Sequence, residues 1–499
     1  MKVDFAPTAA VEKRQSETSR LYAKVLHGAA WSVVGAALWQ GSVLVASVMV
    51  ARLLGVEALG EFGMVQSTVG MFGVLAGMGL GLTATKYIAE FRRSQPARAG
   101  RVIGLTLLSA TVAGVVTITI LWCVAPQLSA GPMSAPHLTT ALRAGGAVLL
   151  FNTIAGVQSG ALVGFEAFGH VAWTSALRGG ITLPFLYIGL NLGGVGGALI
   201  GQAIAGALGV IIAHAYLARI ARRNSVRIRY TGFRDELRIL WATSLPAMVG
   251  GALILPVNWV ARVMIADRPD GYFNLGVFTG VIRIQEGVAY LGQTLGIALL
   301  PILASSKGTR QKTITTINHH LPWLLGCCIT LPLVCFPEIL GMILGPNFDS
   351  AQARRAFIFS SFCACILLFK QGTARELIAQ EKMWLGAVAN GTIALTALIA
   401  AHFLASRGAE GLAMAFLASQ VMSLLVFMPI YIHHGLAPRE LLLSIRSLFI
   451  WGVLVGAAIA SHCHPGTAFR VVIVFLAAGL LAGAFLLDDA DDKLQRSIL

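Results

Sequence analysis

The sequence predicts an all-α polytopic membrane protein with about 14 transmembrane helices. Of its 499 residues, 56% are apolar and only 12% are charged, about half of the ~25% that is typical of a soluble domain. A soluble fold could not bury so much apolar surface, so the bilayer must act as the solvent for most of the chain. The spans must be helices, because an open strand edge in lipid would leave backbone groups unpaired.

Apolar runs, separated by polar residues or by glycine and proline, give the positions of these helices. Each run has roughly the ~20 residues that a membrane-spanning helix needs, whereas barrel strands would be ~10 residues long and alternate in polarity. The run at 144–165 is the weakest of the fourteen, because it contains Asn152 and Gln158. The fourteen runs are 28–51, 62–85, 102–125, 144–165, 171–190, 196–218, 241–262, 276–303, 320–344, 356–379, 384–404, 411–432, 443–461 and 469–487.

The distribution of lysine and arginine predicts the orientation. With the N-terminus inside, 28 of the 37 Lys and Arg residues fall on the inner side and eight on the outer side, while Arg283 lies within a span. Cytoplasmic loops carry such an excess of positive charge, so we expect both termini in the cytoplasm. The net charge of +15 has the same origin, and no nucleic-acid partner is expected.

The chain divides into two similar halves around a basic segment. The triplet Val-Ala-Arg closes the first span at residues 50–52 and the seventh span at residues 260–262. This weak repeat predicts a duplicated six-helix unit with both copies in the same orientation. The seven arginines of residues 219–238 are typical of an inner loop, and the alternative interpretation is a site for anionic lipid.

The predicted organisation follows from the runs and the repeat. It comprises a cytoplasmic N-terminal arm (1–24), an N-lobe of helices 1–6 (25–218), a basic cytoplasmic linker (219–238), a C-lobe of helices 7–12 (239–433), helices 13–14 (434–487) and a cytoplasmic acidic tail (488–499).

Several enzyme classes are excluded by missing motifs. No lysine follows a glycine, so there is no Walker A motif, and no His-Glu pair opens a zinc-protease motif. The histidines and cysteine of residues 461–464 have no fourth ligand nearby in the sequence, so we expect no metal site. The longest outer loop, 126–143, is too short for the extramembrane domain expected of a glycan polymerase or ligase. The sequence therefore predicts neither an enzyme nor a cofactor.

Four segments carry a family resemblance. Residues 51–63 (ARLLGVEALGEFG) resemble the loop after the first helix of polysaccharide flippases, and residues 73–90 resemble their second helix. Residues 278–303 resemble the eighth helix of these proteins, and residues 337–348 the end of the ninth. Together the segments resemble the Wzx-type O-antigen and exopolysaccharide flippases, of the MOP superfamily that also contains the MATE drug exporters.

The resemblance implies both a shape and a function. The expected shape is a V of two six-helix lobes with two additional C-terminal helices. The expected function is movement of a polyprenyl-diphosphate-linked oligosaccharide from the inner to the outer leaflet of the bacterial inner membrane. The partners would be this glycan, membrane lipid and other polysaccharide assembly proteins. The alternative function is export of drugs or other cations, as in MATE proteins.

Arg283 is the most informative single residue of the sequence. A charge in the middle of a span costs about 2.5–3.5 kcal/mol, so Arg283 should face a cavity or a partner. Its guanidinium group suits a diphosphate, because it can donate two parallel hydrogen bonds. Glu286, three residues later on the same helix face, either pairs with Arg283 structurally or couples transport to protons or sodium ions.

Three further cations lie toward the predicted inner ends of their spans. Arg178, Lys370 and Lys86 could form a cationic entry for the anionic headgroup, or extend toward the interface as structural cations. Uncharged polar residues within the spans are expected mainly to join helices, with a few contacting sugar hydroxyls. These residues are Gln40, Asn152, Gln158, Asn258, Gln293, Gln371 and Asn390.

Overall fold

The computed structural model describes residues 31–498, apart from positions 32, 36, 78, 233–235, 241–252, 306–308, 381, 440, 442–443 and 465. The predicted N-terminal arm, residues 1–24, lies outside the described residues. The described chain is helical and contains no β-strand. Its helices are α1 (Val33–Leu54), α2 (Val56–Gly77), α3 (Leu80–Ser94), α4 (Pro96–Ala130), α5 (Thr139–Gly164), α6 (Phe168–Arg223), α7 (Ile254–Ala266), α8 (Gly271–Ser305), α9 (Thr309–Cys335), α10 (Ile339–Leu344), α11 (Ala351–Ala379), α12 (Met383–Leu404), α13 (Gly408–His433), α14 (Ile445–Cys463) and α15 (Thr467–Ile498).

The helices confirm the predicted all-α polytopic membrane fold. Among the described residues, ten helical stretches are long and apolar enough to cross a membrane. Two of them, Phe168–Arg223 and Met383–His433, each contain two of the predicted apolar runs. The described part of the predicted seventh run lies on α7 except for Leu253, which precedes it, and the predicted eighth run lies on α8. The protein is therefore a multi-pass membrane protein.

α6 is a pair of antiparallel segments. Its helical backbone is interrupted at Gly193 and Gly194, and Gly194 has a φ of +55°, a conformation that favours glycine. The two segments pack closely enough to exclude a side chain at Gly189. A Cβ atom there would lie 2.1 Å from the carbonyl oxygen of Gly197. This turn converts one continuous stretch into the fifth and sixth predicted spans.

The arrangement of the apolar cores shows where the two halves of the chain meet. At the predicted outer end, one core contains Leu59 and Phe62 of α2 together with Leu275 and Phe278 of α8. Two further cores each belong to one half: helices α3 to α6 form one at the predicted inner end, and helices α9 and α11 to α15 form the other. The halves thus share one core at the predicted outer end and have separate cores toward the predicted inner end.

Polar contacts reinforce this outer closure. Arg52, at the end of α1, donates from Nε to the carbonyl oxygen of Ile343 at 3.0 Å and from Nη2 to that of Met342 at 2.6 Å. Tyr272 donates its hydroxyl hydrogen to the carbonyl oxygen of Met133 at 2.8 Å. Each of these bonds links the first half of the chain to the second.

The segment that follows α6 is packed against α4. Cβ atoms at Gly100 and Gly104 would lie 2.0 and 1.8 Å from the carbonyl oxygens of Arg227 and Arg229. Glu236 is buried and pairs with two arginines near the start of α4.

Two helices extend beyond the predicted lobe boundaries. α6 continues to Arg223, into the predicted linker, and α15 continues to Ile498, through most of the predicted tail. The predicted lobe boundaries stay predictions.

Candidate functional site

The candidate site is a cavity of about 760 Å³ between the two halves of the chain. Its walls come from α1, α2, α3, α5 and α6 on one side and from α7 and α8 on the other. The volume lies in the upper part of the range for ligand-binding pockets. The polar side chains on the walls are Trp39, Ser42, Gln66, Ser67, Asn152, Thr153, Arg178, Thr182, Gln202, Asn258, Arg262, Arg283 and Glu286.

The charge of this cavity is predominantly positive. Among the described lining residues, three arginines, Arg178, Arg262 and Arg283, face a single carboxylate, Glu286. Guanidinium groups remain protonated in proteins, so the excess of positive charge is permanent. The cavity therefore favours an anion, and a guanidinium fork is well matched to phosphate.

Arg283 lies on α8 with both ends of its guanidinium group engaged. Nη1 donates to Oε2 of Glu286 at 2.9 Å, and Nη2 donates to Oε1 of Gln66 on α2. Nε is buried and has no hydrogen-bond partner among the described residues. The Arg283 side chain is 16% exposed, whereas that of Glu286 is 46% exposed. The predicted pair therefore exists, and its carboxylate faces the cavity.

Arg178 lies on the first segment of α6, across the cavity from α8. Its Nη2 donates to Oδ1 of Asn152 on α5, and its guanidinium carbon lies 4.8 Å from the ring centre of Trp39. The stem packs on the second segment of α6 at Gly209, where a Cβ atom would lie 3.2 Å from Cγ of Arg178. These contacts fix the direction of the side chain toward the cavity.

Arg262 is the charged site residue that the sequence analysis missed. Because it closes the seventh apolar run, the sequence predicts it to be one of the eight outer-side charges, yet it lies within α7 and lines the cavity. Its Nη1 donates to Oγ1 of Thr279 at 3.1 Å, and its guanidinium carbon lies 5.2 Å from the ring centre of Phe278. The available signal was the repeated Val-Ala-Arg triplet, which marked residue 262 without indicating its depth.

The two predicted lysines lie away from the cavity. Lys370 of α11 points into the second half of the chain, where Nζ donates to Oε1 of Gln420 at 3.2 Å and to Oγ of Ser423 at 3.0 Å. Lys86 of α3 is exposed, with Nζ 5.3 Å from the ring centre of Tyr87. Neither lysine is a lining residue of the cavity.

The uncharged polar residues divide between the two predicted roles. Asn152 and Asn258 line the cavity, while Gln158 joins α5 to α6 by donating to the carbonyl oxygen of Val210 at 3.1 Å. Gln66 and Gln202 also line the cavity and were not predicted. The spacing of polar residues along the sequence does not distinguish a glutamine that faces the cavity from one that joins two helices.

Glycines widen the cavity along α2, and this feature was also missed. Gly70, Gly73 and Gly77 line the cavity, and a Cβ atom at each would meet no atom within 4 Å. The open space at these positions shows that the glycines are not required for packing. They leave room along this wall for a bulky ligand.

Comparison with solved structures shows the fold. The chain is similar to a MOP superfamily transporter from Pyrococcus furiosus, with a TM-score of 0.63 and 16% identity over 84% of this chain and 96% of that one. A MATE family multidrug transporter in an inward-facing conformation has a TM-score of 0.62 and 14% identity, over 82% of this chain and 95% of the other. The fold is therefore that of the MOP transporters.

Comparison with known sequences indicates the family. The chain is 24% identical to the EPS I polysaccharide export inner membrane protein EpsE of Ralstonia solanacearum, over 76% of this chain and 87% of that protein. It is 26% identical to the lipid III flippase of Escherichia coli, over 61% of this chain and 75% of that protein. Residues 25–306, more than half of the chain, match the family described as polysaccharide biosynthesis protein. The chain therefore belongs to the polysaccharide biosynthesis protein family.

Proposed function

We propose that this protein is a flippase that moves a polyprenyl-diphosphate-linked oligosaccharide from the inner to the outer leaflet of the bacterial inner membrane. The observation that carries the proposal is the cavity between the two halves of the chain, which three guanidinium groups make positive. The similarity to a polysaccharide export protein and to a lipid III flippase supports the same substrate class. In this role the protein is a transporter and not an enzyme.

The chemistry of the substrate explains the composition of the cavity. Its diphosphate needs cationic donors, and Arg283 supplies them when the phosphate oxygens replace Glu286 and Gln66 as acceptors. Arg262 and Arg178 add charge on neighbouring walls. Sugar hydroxyl groups need neutral donors and acceptors, which Asn152, Asn258 and the cavity glutamines provide. The polyprenyl chain stays in lipid, because exposing it to water would cost ~0.8 kcal/mol per methylene.

Glu286 is the proposed coupling residue. Its carboxylate faces the cavity and is held by Arg283, so arrival of the diphosphate at Arg283 would release it. A released carboxylate within the membrane can take up a proton or a sodium ion. The expected consequence is that transport by Glu286→Gln no longer depends on the proton or sodium gradient. Transport that keeps the gradient dependence of the wild type would exclude Glu286 from coupling.

The alternative function, export of organic cations, is disfavoured by the cavity charge. A cation would meet three guanidinium groups and one carboxylate among the described lining residues. The similarity to MATE transporters establishes the shared fold and leaves the substrate open. A single experiment that measures both surface polysaccharide and drug susceptibility can therefore test the two functions.

The test is deletion of the gene followed by complementation. Loss of the flippase should abolish the surface polysaccharide and cause the lipid-linked oligosaccharide to accumulate in the inner leaflet. Wild-type protein should restore the surface polysaccharide and remove the accumulated lipid-linked oligosaccharide. Susceptibility to cationic drugs should stay unchanged in all strains. Normal surface polysaccharide together with increased drug susceptibility in the deletion strain would favour the exporter.

A further inference from the structure

A second cavity lies on the other side of α6, at its predicted inner end. It has a volume of about 780 Å³ and lies between the last turns of the helix and the segment that follows it. His214 and Arg222 of α6 line one wall. Ser225, Arg227 and Tyr230 line the opposite wall. The pocket is thus polar and basic, and the predicted topology places it at the cytoplasmic surface.

The two arginines of this pocket are available for a ligand. Arg222 and Arg227 are both exposed, and within the described part of the chain neither guanidinium group has a hydrogen bond or an ion pair. No acidic residue is among the described lining residues. By contrast, Arg98 and Arg101 nearby are both paired with Glu236. Two unpaired cations therefore lie at the pocket, where an anion could complete their hydrogen bonds.

The wall formed by the loop is rigidly held. The backbone nitrogen of Arg229 donates to the carbonyl oxygen of Gly100 at 3.1 Å, and Val226 is fully buried. This segment approaches Gly100 and Gly104 so closely that neither position has space for a methyl side chain. The backbone of Arg227 therefore has a fixed position before any ligand binds, so binding need order only the side chain.

The pocket faces lipid and not the central cavity. At about 100° per residue, Arg222 projects about 160° away from Gly206, which lines the central cavity. Ile204, Leu208 and Ile211 project in the same direction as Arg222, and all three are exposed on the surface. An apolar stripe therefore descends the outside of α6 and ends at the basic pocket.

Aromatic residues at and near the pocket indicate the membrane interface. Tyr230 is 48% exposed at the pocket. Trp173 donates from Nε1 to the hydroxyl oxygen of Tyr216 at 3.1 Å, and Tyr216 lies on α6 about 9 Å along the axis from the pocket residue Arg222. Tyrosine and tryptophan are enriched at the depth of lipid headgroups. The pocket is therefore at the depth that a headgroup would occupy.

We propose that this pocket binds the phosphate of an anionic phospholipid in the inner leaflet, with acyl chains lying along Ile204, Leu208 and Ile211. The Arg222 and Arg227 guanidinium groups donate to the phosphate, and Tyr230 and Ser225 donate to its remaining oxygens or to the glycerol. The bound lipid is a resident one and not the transported glycan, because the pocket and the central cavity lie on opposite faces of α6.

The test measures lipid binding to the purified full-length protein. Dioleoylphosphatidylglycerol is titrated in detergent and the bound lipid is counted by native mass spectrometry, with dioleoylphosphatidylcholine as the neutral probe. The pocket variant is Arg222→Gln/Arg227→Gln. The matched control is Arg219→Gln/Arg223→Gln, which removes the same charge from the same helix end outside the pocket lining. Lipid-free melting temperatures check that both variants fold.

The proposal predicts one phosphatidylglycerol bound at least about tenfold more weakly by the pocket variant than by the control. Arg222→Lys/Arg227→Lys should bind with intermediate affinity, because it keeps the charge without the fork. Equal losses in the pocket and control variants would show diffuse surface attraction and overturn the proposal. Inorganic phosphate that displaces the lipid at equimolar concentration would show a soluble-anion site and would also overturn it.

Discussion

Arg283 illustrates how a costly buried charge is kept in the membrane. Glu286 and Gln66 satisfy its two terminal nitrogens, and both partners belong to the wall of the cavity. Because Glu286 is nearly half exposed there, water can solvate the carboxylate when Arg283 turns to another acceptor. The pair therefore stabilises the empty cavity and can still open for a ligand.

Replacement of Arg283 tests its proposed role. Arg283→Ala should abolish export of the glycan while folded protein stays near the wild-type amount. A fully buried unpaired carboxylate would cost 3–5 kcal/mol, but Glu286 is too exposed to incur that cost. Arg283→Lys should restore export only in part. Surface polysaccharide and membrane protein level are the two measurements.

The double variant Arg283→Ala/Glu286→Ala separates binding from structure. If Arg283 only neutralises Glu286, removing both residues restores transport. If Arg283 holds the diphosphate, the double variant stays inactive. Recovered transport would refute the binding role.

Arg262 should be as important as Arg283, although no sequence feature marked it as a cavity residue. Arg262→Gln should reduce export at least about tenfold, because it removes a charge-assisted contact from the cavity. Arg268→Gln is the matched control, since Arg268 is exposed two residues beyond the end of α7. Equal export by the two variants would show that Arg262 has no part in binding.

Depth along a helix decides which site residues can be predicted from sequence. Arg283 was predictable because apolar residues flank it on both sides. Arg262 was not, because arginines near the end of an apolar run are common in loops. Lys370 has a similar sequence context to Arg178, yet only Arg178 reaches the cavity. Helix rotation and packing separate them, and a single sequence does not contain that information.

At the scale of helices, glycines set how closely α2 and α8 approach. A Cβ atom at Gly60 would lie 2.1 Å from the carbonyl oxygen of Tyr272, and one at Gly276 would lie 1.9 Å from that of Val56. These contacts are in the shared core at the predicted outer end. The absence of side chains here lets the two backbones touch and closes the cavity on this side.

Gly60→Ala should therefore open the outer closure. The new methyl group forces α2 and α8 apart, which destabilises the closed state by about 1–3 kcal/mol. Ser67→Cys, in a background without the seven native cysteines, reports access to the cavity. Labelling by a membrane-impermeant thiol reagent from outside should increase.

Gly70→Ala is the matched control on the same helix, because its Cβ atom would meet nothing within 4 Å. It should leave the outside labelling unchanged. Equal labelling of the two variants would contradict the assignment of Gly60 to the closure.

The spans themselves were predictable, whereas their interruptions and packing were only partly so. The apolar runs located helices because hydropathy is a local property. The break between 171–190 and 196–218 was correctly expected, and the structure assigns it to Gly193 and Gly194. The packing of residues 224–232 on α4 joins positions more than 100 residues apart. No local pattern could predict it.

For the molecule as a whole, the orientation in the membrane is open to direct test. Reporter fusions after residues 230 and 499 should both read cytoplasmic, and a fusion after residue 133 should read external, because the positive charge is concentrated on one side. An external reading at residue 230 or 499 would contradict the predicted topology. It would also place the second cavity on the wrong side for inner-leaflet lipid.

The arrangement of cores links this orientation to transport. Because the halves share a core at the predicted outer end and have separate cores toward the predicted inner end, the positive cavity is closed on the predicted outer side. A headgroup made in the cytoplasm would then reach Arg283 from the side on which it is synthesised. The basic segment 219–238 and the repeat predicted two halves, but the conformation depends on contacts between distant residues such as Arg52 and Ile343.

The central claim is that the positive cavity carries a lipid-linked diphosphate across the membrane. Its most direct test uses purified protein in liposomes that contain a fluorescent polyprenyl-diphosphate disaccharide. The measurement is the rate at which label in the inner leaflet becomes accessible to an external quencher. We expect the wild type to expose the label and Arg283→Ala to match protein-free liposomes. A wild type no faster than protein-free liposomes, in vesicles where the same protein moves an organic cation, would contradict the account.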